Sequence, residues 1–189
     1  MKNFKTIAIA LIVALGTAAM TAQTKKVDTK NSQIAWVGKK VTGQHSGTVN
    51  LKDGALEFKN SKLTGGSFTV DMNSIAVTDL KAGEGKEKLE GHLKADDFFG
   101  TAKFPTASLK FKTVTAKKGN NYTVTADLTI KGITKPVTFD IAVAGNKAST
   151  AFKVDRTKYG IEYKSGSIFS GLGDAVINDE FELSVSLQF

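Results

Sequence analysis

The strongest pattern from residue 34 onward is alternation of apolar and polar side chains with a period of two, which puts one set on each face of an extended strand. Tyr122, Val124, Ala126, Leu128 and Ile130 alternate with Thr123, Thr125, Asp127, Thr129 and Lys131. Val137, Phe139, Ile141 and Val143 repeat the pattern, as do Phe68, Val70 and Met72. Phe181, Leu183, Val185, Leu187 and Phe189 do the same at the C-terminus. Strands are predicted around 34–41, 47–51, 56–58, 67–72, 107–115, 122–131, 137–144, 149–155 and 180–189, about eight or nine in all. Lys52-Asp53-Gly54, Lys118-Gly119-Asn120-Asn121 and Gly145-Asn146-Lys147 have the composition of short hairpin links, so neighbouring strands are expected to pair antiparallel.

An open sheet of that length would expose its edges, and closure into a barrel removes them. A two-sheet sandwich gives the same alternation, so periodicity leaves both architectures open. Two segments depart from the β pattern. Residues 81–93 are rich in Glu, Lys and Leu, with Leu89 and Leu93 four apart, and are expected to form a short helix across one end of the barrel. Residues 165–174 contain Gly166, Gly171 and Gly173 and are expected to form a long loop.

The N-terminus changes what the mature protein is. Lys2 and Lys5 precede an apolar run from Ile7 to Met20, and small residues follow at Thr21 and Ala22, which is the make-up of a secretory leader cleaved after Ala22. Its continuous apolar core, Ile7 to Leu15, is short against the ~20 residues of a membrane span. Residues 23–189 then form one domain, without a membrane span, in the periplasm or beyond the cell. The chain has no cysteine, which excludes both a disulfide framework and a lipidated N-terminal cysteine. Its net charge of +8 falls by two when Lys2 and Lys5 leave, and Arg156 is its only arginine. A nucleic-acid partner is therefore not expected, because base and phosphate recognition leans on the arginine fork. Lysine can still attract anionic head groups as a point charge.

Several segments resemble the YceI-like family of secreted, lipocalin-like barrels that bind polyisoprenoid or related amphiphilic lipids. They are Ile34-Ala35-Trp36; His45-Ser46-Gly47-Thr48; Phe68-Thr69-Val70-Asp71 with Ser74-Ile75; the run GHLKADDFFGTAKFPTASLKF from Gly91 to Phe111; LTIKGITKPVTF from Leu128 to Phe139; and Arg156-Thr157-Lys158-Tyr159-Gly160-Ile161. The resemblance covers nearly all of residues 23–189. It implies an all-β fold, an extended eight-stranded antiparallel lipocalin-like barrel with a short helix near one end, and so selects barrel over sandwich. One departure is that the family often has Arg-Asp before His-Leu, where this chain has Glu87-Lys88-Leu89-Glu90-Gly91. Lys86 or Lys88 could supply that charge but not its fork.

A barrel of about eight strands is wide enough for packed side chains or for one slender ligand. Twelve phenylalanines supply flat apolar wall. By residue type alone they could as well pack a solid core. The resemblance favours a ligand, and makes Trp36, Phe68, Val70, Phe98 and Phe99 candidates for lining the interior, with Phe104, Phe111, Phe139, Ile141 and Phe152. Lys86, Lys88, His92, Arg156 and Lys158 are candidates for neutralising a polar head at the mouth. The expected partner is a long-chain isoprenoid or other amphiphilic lipid, and assembly as a homodimer is compatible with this surface. No cofactor, metal or enzyme activity is expected. There is no cysteine nucleophile, no Gly-x-Ser-x-Gly elbow, no P-loop, and the pairs Asp96-Asp97 and Asp179-Glu180 match no calcium loop. The remaining readings are an enzyme acting on a lipid-like substrate, with His45 and His92 as first candidates, and a filled barrel that binds a protein partner.

Overall fold

Nine strands and one α-helix make up the computed structural model, which describes residues 22–189. The expected leader therefore lies, but for Ala22, outside the described residues. The strands are β1 (Ala22–Lys26), β2 (Gln33–Lys40), β3 (Gly43–Lys59), β4 (Lys62–Val77), β5 (Thr106–Ala116), β6 (Asn121–Ile130), β7 (Ile133–Ala144), β8 (Lys147–Asp155) and β9 (Ile177–Gln188). The sheet runs β3-β2-β9-β8-β7-β6-β5-β4 and returns to β3, so eight antiparallel strands close a barrel. The ninth, β1, extends the β2 side, pairing Ala22↔Lys59 to Lys26↔Ala55 where β2 no longer reaches β3.

The alternation sorts inside from outside as the pattern requires. Tyr122, Val124, Ala126, Leu128 and Ile130 of β6 are buried, and the residues between them are half-exposed. Each fully buried large apolar side chain contributes roughly 1.5–3 kcal/mol of transfer free energy. One pole is packed shut, with Leu56, Phe58 and Leu63 buried and the Phe58 and Phe189 rings 5.6 Å apart. The other pole carries the longer connections between strands.

Three sequence expectations are corrected. Lys52-Asp53-Gly54 is not a turn but lies inside β3, where the register against β4 slips between Leu51 and Asp53. Gly54 sits there because the Phe68 ring lies 2.6 Å from where a Cβ would stand, so the glycine marks close packing, not a reversal. The helix α1 spans Lys86–Lys94, shorter than 81–93, since Gly83 and Gly85 adopt φ of 79° and 98°. The strand β1 falls beside the expected cleavage point, ahead of the first strand that the alternation predicts. Residues 165–174 form the expected loop, joined to β9 by a bridge between Ser165 and Ile177.

Candidate functional site

Between the packed pole and the helix-bearing pole lies a narrow cavity of about 180 Å³. Its wall comes from alternate positions of every barrel strand and is almost wholly hydrocarbon. Among the sequence candidates, Trp36, Phe68, Val70 and Phe111 stand on it from β2, β4 and β5. Phe139, Ile141 and Phe152 stand on it from β7 and β8. Phe98 and Phe99, buried in the turn after α1, cap it at the helix end with Leu93. The Phe139 and Phe152 rings stack at 4.6 Å and 16°. Trp36 Nε1 donates to the Thr48 carbonyl at 3.3 Å, so the indole presents hydrocarbon to the cavity and its polar edge to backbone.

Phe104 does not reach this wall. Its ring covers Gly132 and Gly100 outside the barrel lumen, 3.3 Å and 3.5 Å from where their Cβ atoms would stand. The chain turns between Phe99 and Phe104, with the Lys103 and Phe104 amides donating to the Gly100 carbonyl at 3.0 Å and 2.9 Å, and this carries Phe104 away from the expected position on the wall. The aliphatic wall residues Val49, Leu109, Leu128 and Leu183 were not singled out. Their signal is strand parity, which marks the inward face whatever the size of the side chain.

The expected head-group cluster does not assemble. Lys86 lies 3.9 Å from Glu90, Lys88 is exposed, and neither lines the cavity. The His92 ring packs at 4.5 Å on Tyr163 and 5.5 Å on Phe98, also off the cavity wall. Lys158 lies 3.6 Å from Asp155. Arg156 does touch the cavity, but its guanidinium is already used. Only 2% exposed, Arg156 donates to the carbonyls of Asn178 (3.0 Å), Ile161 (2.7 Å) and Ile177 (2.9 Å), and lies 3.8 Å from Asp179. Burial pushes its pKa down, and the neighbouring carboxylates Asp179 and Asp155 oppose that shift. A buried cation so engaged ties β9 to the turn after β8.

The other histidine, His45, bonds Asp79 through Nδ1 at 2.9 Å, and Asp79 also accepts the Ser46 amide at 3.0 Å. Burial raises the Asp79 pKa, but these two bonds outweigh it and hold the carboxyl below its usual range. The pair fastens the start of β3 to the end of β4, which is a structural use of both residues. Asp96 is taken by Lys103 at 2.6 Å. Among the described residues, no group of three His, Asp or Glu side chains could hold a metal ion, and no helix is long and apolar enough to cross a membrane.

A closed eight-stranded barrel with an apolar lumen and a helical cap is the architecture of lipocalin-like proteins. The YceI-like domain model matches residues 26–189, and the chain belongs to that family. Protein YceI of Escherichia coli is 32% identical over 126 residues, 64% of this chain and 61% of that one. A UPF0312 protein of Shewanella denitrificans is 35% identical over 99 residues, covering 52% of this chain and 49% of the relative. The matches thus span about half to three-fifths of these relatives. Among solved structures, BcnA of Burkholderia cenocepacia superposes with a TM-score of 0.64 at 22% identity, over 85% of this chain and 98% of that one. A polyisoprenoid-binding domain from Saccharophagus degradans, implicated in plant cell wall breakdown, gives 0.57 at 14% identity, over 89% and 97%. These likenesses establish the fold.

Proposed function

We propose that this is an exported, non-catalytic binding protein that takes the hydrocarbon chain of a polyisoprenoid or similar long-chain amphiphile into its barrel. The observation that carries the reading is the cavity wall: narrow, built from every strand, and without an uncommitted charge, since Arg156 is spent on three carbonyls and Glu180 lies 3.4 Å from Lys153. A slender chain is the occupant such a space suits. At roughly 0.8 kcal/mol per buried methylene, about ten methylenes give some 8 kcal/mol gross, of which association consumes a large part. Selectivity would then come from the shape and length of the chain more than from its head. Export rests on the N-terminal pattern. Cleavage after Ala22 leaves Gln23–Lys26 to pair with β3.

Native mass spectrometry of the protein purified from its own cells, followed by organic extraction, tests the reading. An equimolar long-chain isoprenoid or fatty amphiphile, on a protein beginning at Gln23, is the expected result. A protein that is empty and also ignores added polyisoprenoids overturns it and favours a filled barrel acting through a protein partner.

A further inference from the structure

The hydrogen-bonded wall of the barrel is incomplete between β7 and β8, beside the cavity. Strand β6 pairs with β7 along ten residues, and β8 with β9 along nine. Between β7 and β8 the ladder holds only four pairs and stops at Ile141↔Thr150. In a continued register Asp140 would oppose Ala151 and Phe139 would oppose Phe152. Instead, the Asp140 carbonyl accepts the Thr150 hydroxyl at 2.6 Å, and the two phenylalanine rings stack across the gap. Pro136, further along β7, has no N–H with which to restore the ladder.

The break borders a dip in the outer surface. A concavity on the outer barrel surface, floored by small side chains such as Ser149, Ala151 and Ser184, shares Ile141, Thr150 and Val185 with the inner cavity. Only that layer of residues separates the two. The ladder between β4 and β5 also ends early, at Ser67↔Lys110, with Phe68, Leu109 and Phe111 of the cavity wall beside it, but there the side chains of Leu56 and Phe111 pack against Gly66, each 3.1 Å from where its Cβ would stand, toward the closed pole.

The helix end is a poor door by comparison. Leu93, Phe98 and Phe99 close it, and the Phe98 ring lies 5.8 Å from the Arg156 guanidinium carbon, so opening it would expose three buried apolar side chains and break a cation–π contact. Widening the gap beyond Ile141↔Thr150 breaks one neutral hydrogen bond and one ring stack and leaves the four ladder pairs in place.

We propose that the seam between Phe139-Asp140 of β7 and Thr150-Phe152 of β8 is a lateral portal through which a lipid chain enters the barrel sideways. Thr150 is its latch, and Phe139 and Phe152 are its leaves. The inference rests on the chain-binding reading above. It implies that the amphiphile threads through the wall tail first while its head stays at the outer concavity.

The chain has no cysteine, so a pair placed across the seam forms a unique disulfide. Stopped-flow loading of a dansyl-labelled fatty acid into D140C/A151C, oxidised and reduced, is the test. A second pair, T125C/T138C, staples the continuous β6–β7 ladder and serves as control. Oxidation of the seam pair should slow loading by on the order of tenfold against its own reduced form, with the same final amplitude, while the control changes little. Thr150→Val, lacking the latch, should load severalfold faster than wild type. Equal rates in both seam states, with Thr150→Val unchanged, overturn the portal and leave chain binding intact. Absence of probe binding in the wild type overturns the chain-binding reading itself.

Discussion

Arg156 and Asp179 face each other across 3.8 Å at the helix end of the barrel, and neither is satisfied by the other alone. The guanidinium spends its N–H groups on three backbone carbonyls, while Asp179 accepts from Ser167 through its other oxygen. The arrangement makes the single arginine a structural rivet. Arg156→Met should cost about 3–5 kcal/mol of unfolding free energy in urea, because it leaves buried carbonyls and a carboxylate without partners. Arg156→Lys should recover only part of this, since an ammonium lacks the planar fork. Equal stability of Arg156→Met and wild type would contradict the assignment.

Tyr159 gives a pH signature. Its hydroxyl is buried without a hydrogen-bond partner, and burial, with Asp155 nearby, pushes its pKa up to about 12. The folded value lies above the unfolded one, so stability is complete below about pH 10 and is lost as pH rises toward the folded value. Wild type should lose about 1 kcal/mol more than Tyr159→Phe between pH 7 and pH 11, read by urea unfolding at each pH. At pH 7 the phenylalanine variant should be at least as stable as wild type, since it removes an unpaired polar group.

Gly54 should control the width of the cavity. A Cβ there meets the Phe68 ring at 2.6 Å, and Phe68 can yield only by turning further into the lumen. Gly54→Ala should weaken binding of a dansyl-labelled fatty acid by roughly tenfold at a stability cost of about 1–3 kcal/mol. Unchanged affinity in a folded variant would show that Phe68 does not border the bound chain.

Much of this was legible from alternation alone. Parity along β6, β7 and β9 told which side chains point inward, and ten of the candidate wall and head-group residues do lie on the cavity. Turn chemistry was less dependable. Gly145-Asn146-Lys147 is a hairpin with Gly145 at φ 61°, whereas Lys52-Asp53-Gly54 is a slipped register in a continuous strand with the Phe68 ring packed on Gly54. The charged candidates fared worst for a related reason. Nothing local to Arg156 announces that three carbonyls from residues 161 to 178 converge on it, and Lys86 and Lys88 face away because the helix turns its Leu93 edge to the barrel. The seam between β7 and β8 was invisible, since strand pairing is a property of two segments and each alternates cleanly alone.

The most direct test of chain binding uses the only tryptophan. Trp36 lines the cavity, so a brominated fatty acid or polyisoprenoid bound there must quench its fluorescence on contact. Wild type should show saturable quenching that ends at equimolar ligand. Ala107→Phe, which fills the lumen from β5, should remain folded within about 1–3 kcal/mol and lose the quenching. Quenching that persists undiminished in Ala107→Phe, or is absent from the wild type at saturating ligand, would contradict a chain held inside the barrel.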